Sequence, residues 1–308
     1  MWYEVLSMPP SSTSDSGSSN PAEEIRDKFL NHERQAISRA TLGIAGRDPE
    51  PRLPRSLTLT VYLLGIFRVF VNDYPVDHWP GRRARSVMKY LLAHHERPIP
   101  REVLMDIFWR RVQPEAARNS LNVALYSLRR AFRSVTEFPI ILFEEEAYHL
   151  NPGVRIWLDV DEFEHHTDAG QQLLNEGQLA MAISEWEVAA NLYQGKFLED
   201  DPYIEWAHAT REQLHLAYLG LLNHLSHIYF DQSRIAACVR TCQLILAQDS
   251  TWEETHCLLM RCYTRLGQPH LALRQYQACV ESLHRELDME PARSTVQLLE
   301  KIRRHEQV

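Results

Sequence analysis

A chain of 308 residues, 44% hydrophobic and 24% charged, has the composition of an ordinary globular protein and the length of about two domains. It holds no apolar run near the roughly 18 residues a membrane span requires. Nor does a basic segment lead into an apolar one at its N-terminus, so neither a membrane helix nor a secretory signal is expected, and a cytoplasmic location is. The net charge of −8 is unevenly spread: residues 56–158 carry 14 basic and 10 acidic side chains, a net of +4, while 19 basic and 31 acidic residues elsewhere leave −12. Such asymmetry predicts one module that faces a polyanion and one that does not.

Residues 1–21 contain SMPPSSTSDSGSSNP, a composition that predicts disorder. A helix is predicted from Ala22 to about Thr41, with Ile25, Phe29 and Leu30 apolar, and RDPEPRLPR then reads as a linker, so residues 1–55 make an arm. Order is expected from Ser56. LTLTVYLLG and IFRVFVND are strand-like, with Gly65 between them and a turn at Asp73 to Pro75. Arg82 to His95 reads as a helix with Ala84, Val87, Met88, Leu91 and Leu92 inward. Pro98 and Pro100 break it, and REVLMDIFW forms a second helix ending near Trp109. A third runs from Pro114 to Arg133. PIILFEEEAYHLNP then reads as a hairpin with Glu144–Glu145–Glu146 at its tip and a stop at Asn151–Pro152–Gly153. Two strands, three helices and a hairpin in that order make a winged helix-turn-helix, placed at residues 56–158.

The third helix is the most informative segment. At about 100° per residue, Leu121, Leu125, Leu128 and Phe132 fall in one narrow arc and form a buried stripe. Arg118, Asn119, Asn122, Tyr126, Arg129, Arg130 and Arg133 fill the opposite side, and no acidic residue is expected to interrupt them. Arginine offers a planar fork of donors to phosphate or guanine, and asparagine pairs bidentately with adenine, so this face reads as a DNA-recognition surface. A solvated face normally mixes charge signs as i,i+4 pairs, which this one does not. Arg118 suits a phosphate clamp, and Arg129 and Arg130 a phosphate or base contact. Asn119 suits either a base edge or a helix start, and Tyr126 a phosphate, a thymine methyl or simple cover. Arg82, Arg83 and Arg85 open the first helix, where a basic cluster either meets the DNA backbone or is solvated. Trp79, Trp109, Trp186 and Trp206 read as packing residues.

From Asp159 onward nearly everything reads as helix. GQLAMAISEW at Gly177 and GQPHLALRQY at Gly267 share a G-Q-x-x-x-A-x-x-x-aromatic frame, while Tyr229 and Tyr263, and Arg240 and Arg274, are spaced by 34 residues. That period belongs to tetratricopeptide helix pairs, so residues 159–308 are predicted to form an all-α, TPR-like array. The five cysteines, Cys238, Cys242, Cys257, Cys262 and Cys279, match no zinc spacing and read as small buried thiols of a reducing compartment. No metal or cofactor is expected. With neither a phosphate-binding glycine loop nor a nucleophile pattern in the sequence, the reading is not an enzyme.

HWPGRRARSVMKYLLAHH, LMDIFW, PEAARNSLNVALYSLRRAF, LDVDEFE and the run from Gly177 through ALRQYQACVESLHRELDMEP together resemble the SARP-type bacterial transcriptional activators. The likeness extends over about residues 56 to 303. It implies an OmpR-type winged helix, with a leading antiparallel sheet, joined to a bacterial transcriptional activator domain of TPR-like helices: a mainly α chain with an α+β N-terminal part. It also implies a third helix in the major groove of double-stranded DNA, a wing near the minor groove, and binding as pairs on direct repeats. The helical domain is then expected to contact another protomer or RNA polymerase. Two positions depart from the family pattern: Asn122 and Ser127 stand where further basic residues are usual, and the wing tip is acidic at Glu144–Glu146. Carboxylates beside phosphate are repelled, which leaves a second reading open, an adaptor whose winged helix binds protein.

Overall fold

A computed structural model of the chain describes residues 57–79 and 81–306. The expected arm, helix and linker of residues 1–55, and the start of order at Ser56, lie outside the described residues. The chain is mainly α: an N-terminal α+β winged helix-turn-helix followed by an all-α TPR-like array.

The N-terminal half opens with β1 (Thr58–Tyr62), β2 (Arg68–Val71) and β3 (Tyr74–Pro75), an antiparallel meander. Its β2–β3 turn is Asn72–Asp73, both at positive φ, the residue types that tolerate that region best. Helix α1 (Arg82–Ala93) buries Ala84, Val87, Met88, Leu91 and Leu92, as its spacing requires. A two-residue strand, β4 (Ile99–Pro100), leads into α2 (Arg101–Trp109), and a short turn leads into α3 (Pro114–Phe132). The hairpin β5 (Ile141–Glu144) and β6 (Ala147–Leu150) pairs with β4 in the order β4-β6-β5. A last strand, β7 (Arg155–Leu158), runs parallel to β1, with Leu59 opposite Ile156 and Val61 opposite Leu158, and completes a four-stranded sheet β3-β2-β1-β7. Neither β4 nor β7 is visible to periodicity. Two residues carry no period, and β7 joins a strand about a hundred positions earlier.

The array consists of α4 (Asp159–Asn175), α5 (Leu179–Leu192), α6 (His208–Asp231), α7 (Ile235–Gln248), α8 (Glu253–Arg265), α9 (Pro269–Leu287) and α10 (Arg293–Arg303). Helices pack as pairs, α4 on α5, α6 on α7 and α8 on α9, with α10 closing the end. Each pair turns the same way. Gly177, Ser233 and Gly267 all have positive φ, and the next residue's N–H donates to the carbonyl of Leu173, Tyr229 or Tyr263 respectively. This is a left-handed helix stop that satisfies otherwise orphaned carbonyls. The 34-residue spacing of Tyr229 and Tyr263 is thus the spacing of two such stops. The fully buried Trp186 of α5 seats its ring against Gly170 of α4, donates its indole N–H to Thr167 O at 3.2 Å, and stacks on His224 of α6 at 5.3 Å. Cys238, Cys242 and Cys262 are buried between α7 and α8, with Sγ separations of 4.0 and 3.3 Å.

The two halves share one junction. Strand β7 ends at Leu158 and α4 begins at Asp159, with no linker between them. The buried Asp159 carboxylate accepts the Leu63 N–H at 2.8 Å and the Leu64 N–H at 2.8 Å, where the chain leaves β1. Burial pushes its pKa up to about 7, against the downward pull of those N–H donors and of Arg68. The segment between α5 and α6 folds back over the sheet: Leu198 N–H donates to Leu63 O, Glu199 N–H to Gly65 O, and Leu64 bridges Phe197. Lys89 of α1, with no exposed surface, is held by Asp200 at 3.0 Å and Asp201 at 2.5 Å, and Arg211 fastens the same segment through the carbonyls of Phe197, Asp201 and Pro202.

Candidate nucleic-acid interface

Helix α3 starts with Pro114 at its first turn, a position where a missing N–H costs nothing, and ends with Arg129 and Arg130 in its last turn, where cations suit the helix dipole. Its buried side is Ala117, Leu121, Ala124, Leu125, Leu128, Ala131 and Phe132. Each fully buried Leu or Phe there contributes about 1.5–3 kcal/mol, so the rotation of the helix about its axis is firmly set. Leu121, Leu128 and Phe132 lie against the α1 and α2 core, and Phe132 meets Trp79 edge-on at 6.1 Å.

That rotation turns Arg118, Asn119, Asn122, Tyr126, Arg129, Arg130 and Arg133 outward together, all exposed. Tyr126 is 65% exposed. Two further residues share this face. Val123 is also 65% exposed, four residues after Asn119, and escapes a search for polar residues because it is apolar. Glu115, exposed in the first turn, corrects the expectation of an acid-free face: it lies seven residues before Asn122, two helical turns, and so on the same side. The acid-free part of the face begins at Arg118.

The wing is less acidic in effect than its sequence suggests. Glu146 pairs with Arg101, and Glu144 lies 3.4 Å from the His149 imidazole, so one of the three tip carboxylates faces a cation of the protein itself and a second has a ring nitrogen beside it. Among the described residues Glu145 makes no ion pair. Glu145 and Glu146 form a two-residue turn with φ of 48° and 62°, a conformation for which Asn or Gly would be better suited. One pair below the tip, Tyr148 packs on its cross-strand partner Phe143, ring centres 4.5 Å apart. Burial raises the Tyr148 phenol above its ordinary pKa, while the positive charges of Arg129, Arg101 and Arg118 pull it down.

The first-helix arginines are divided. Arg82 is exposed. Arg83 donates to Phe108 O at 2.7 Å, fixing α1 to the end of α2, and Arg85 pairs with Asp200 at 2.6 Å across the junction. Arg83 and Arg85 thus hold protein partners. Trp109 packs on Phe108 and Trp206 on Tyr90 at 4.9 Å, both as packing residues. Among the described residues no group of His, Cys, Asp and Glu is arranged to hold a metal ion, and no helix is long and apolar enough to cross a membrane.

Comparison with known proteins bears on both halves. Residues 158–303 match the family model described as the bacterial transcriptional activator domain. Among solved structures, the chain is similar to Mycobacterium tuberculosis EmbR, solved in complex with a low affinity phosphopeptide: TM-score 0.65 at 19% identity, covering 82% of this chain. The chain spans 66% of the length of that protein. No curated protein sequence is similar enough to this chain to be matched. With a match to the bacterial transcriptional activator domain at residues 158–303 and a winged helix-turn-helix directly in front of it, the chain has the domain order that its resemblance to the SARP-type activators implies.

Proposed function

We propose that this protein is a sequence-specific, double-stranded-DNA-binding transcriptional activator, with α3 in the major groove. The observation that carries the reading is the outward face of α3, where four arginines, two asparagines and a tyrosine stand together on a helix whose rotation is set by seven buried residues. Arg118 near one end and Arg129, Arg130 and Arg133 near the other suit phosphates on either side of a groove, and the uncharged residues between them suit base edges. Arg82 and Arg83, both exposed, are candidates for further phosphate contacts. The TPR-like array then serves as the surface for a second protomer on direct repeats, or for RNA polymerase, and its family supports a role in activation. The rival reading, an adaptor that binds protein through its winged helix, draws on the acidic wing tip, and it is weakened where Glu146 is seen paired with Arg101.

The test is retention of sheared genomic DNA by the purified protein at about 50 and 200 mM salt, a range over which phosphate-driven binding changes strongly. A few enriched sites, with direct repeats, are expected. Replacing Arg129 and Arg130 by Ala is expected to flatten the salt dependence by about one unit of slope for each lost phosphate contact, or to cost about 1–3 kcal/mol for each lost base contact. Retention that ignores both changes refutes the assignment of α3, and no retention at all selects the adaptor.

A further inference from the structure

The centre of the α3 face differs from its ends. Between Arg118 and Arg129 the exposed residues are Asn119, Asn122, Val123 and Tyr126, none of them charged. They form one contiguous patch, since Asn119 lies three residues from Asn122 and four from Val123, and Tyr126 lies three from Val123 and four from Asn122. Val123 and Tyr126 are each 65% exposed, two large apolar surfaces left in water in the middle of a helix that buries seven other side chains. Neither packing nor solubility gives a reason for an outward Val at this point. A base-pair edge does.

The four base pairs are distinguishable in the major groove by what they demand. Guanine presents two acceptors, met best by Arg or Lys, and this patch has neither. Adenine presents an acceptor beside a donor, met by the amide of Asn, and thymine presents a methyl group, met by an apolar side chain. We propose that the middle of α3 reads A·T base pairs, with Asn119 and Asn122 pairing with adenine and Val123 packing on a thymine methyl. The inference rests on the DNA-binding reading above and specifies its ligand: an operator whose central positions are A·T and whose phosphates and guanines are met by the flanking arginines. It predicts readout by an apolar contact, which salt does not screen, inside an interface whose remaining affinity is strongly salt-dependent.

The experiment uses the full chain. Duplexes are selected from a random pool, and each thymine of the selected site is then replaced in turn by deoxyuridine, which lacks only the 5-methyl group. At one thymine or two, binding is expected to weaken about fourfold, the worth of one methyl-sized group removed from water. Val123→Ala, which removes both γ-methyl groups, is expected to abolish that difference between thymine and uracil while leaving the salt slope unchanged, and Val123→Thr, which keeps one γ-methyl group, is expected to retain it. Because Val123 is exposed, both variants are expected to melt with the wild type, which a thermal scan checks. Sites with G·C at their centre, binding indifferent to every thymine-to-uracil change, or a uracil effect that persists in Val123→Ala overturns the inference while leaving DNA binding intact. A pool from which no duplex is enriched overturns the DNA-binding reading itself.

Discussion

Replacing Lys89 by Met removes a cation that the junction buries completely. Its ammonium lies 3.0 Å from Asp200 and 2.5 Å from Asp201 and rests 5.1 Å from the centre of the Phe67 ring. Methionine fills nearly the same volume, so the change is chiefly electrostatic. Breaking a buried ion pair from one side costs about 3–5 kcal/mol when the stranded charge is fully enclosed. Here the aspartates keep 18% and 25% of their side-chain surface, and Arg85 stays 2.6 Å from Asp200, so a loss of about 2–3 kcal/mol is expected. The assay is urea unfolding of the full chain followed by tryptophan fluorescence, because Trp206 sits at the junction 4.9 Å from Tyr90, and by circular dichroism, which the helical array dominates. In the wild type the two signals are expected to move together. In Lys89→Met the fluorescence transition is expected to shift to lower urea ahead of the helical signal. Adding Asp201→Asn, which leaves Asp200 paired with Arg85, is expected to recover part of the loss, since the carboxylate that Lys89→Met strands is then gone. A midpoint that moves by less than about 0.5 kcal/mol, with the two signals still coincident, refutes the assignment of Lys89 as the pin between the halves.

Three further outcomes follow from the geometry. Gly170→Ala gains about 1 kcal/mol of helix propensity but drives a methyl group into the Trp186 indole, an overpacking cost of about 1–3 kcal/mol, and disturbs the Trp186–Thr167 hydrogen bond; a net loss is expected in thermal melts, and a rise in melting temperature refutes the interlock. Glu145→Asn places a residue suited to positive φ at the wing tip and removes its unpaired carboxylate, so a gain of about 0.5 kcal/mol in urea unfolding and tighter DNA binding are expected together, and looser binding speaks against a wing near phosphate. Asp159, with a folded pKa of about 7 against about 4 unfolded, holds a proton in the folded state that the unfolded chain releases, so its contribution to stability is greatest at low pH, falls between about pH 4 and 7 and is flat above. Asp159→Asn is expected to remove that pH dependence and to leave a buried N–H without its acceptor; parallel stability curves for the two proteins between pH 4.5 and 8 contradict the assignment.

Where the chain repeats itself locally, its structure was legible. The buried stripe of α3 follows from Leu121, Leu125, Leu128 and Phe132 alone, and the pairing of helices follows from Tyr229 and Tyr263 and from the two Gly-Gln frames. The middle stop was hidden because Ser233 occupies the left-handed position that Gly177 and Gly267 mark openly elsewhere. What could not be read is what joins distant residues. The pairing of β7 with β1, the carboxylate of Asp159 under the Leu63 and Leu64 N–H groups, and the seat of Lys89 between Asp200 and Asp201 all connect positions about a hundred residues apart, for which a single sequence holds no periodic signal. At the candidate site, the polar residues were visible by type and spacing. Val123 was not, because an apolar residue in a helix is ordinarily core, and Glu115 was passed over because it precedes the arginines by one turn.

The absence of a linker between β7 and α4 has a consequence for anyone who would handle this protein in parts. A fragment cut after Leu158 would carry every residue of the helix-turn-helix and still lack Phe197, Leu198, Asp200 and Asp201, the residues that roof β1 and neutralise Lys89. It would display a bare lysine in an apolar recess and two backbone N–H groups with no acceptor, the features of an aggregating fragment rather than an independent module. Grafting the DNA-reading half onto another regulator therefore means transplanting the 194–207 segment with it, and exchange between relatives would have to keep both sides of the seam in step.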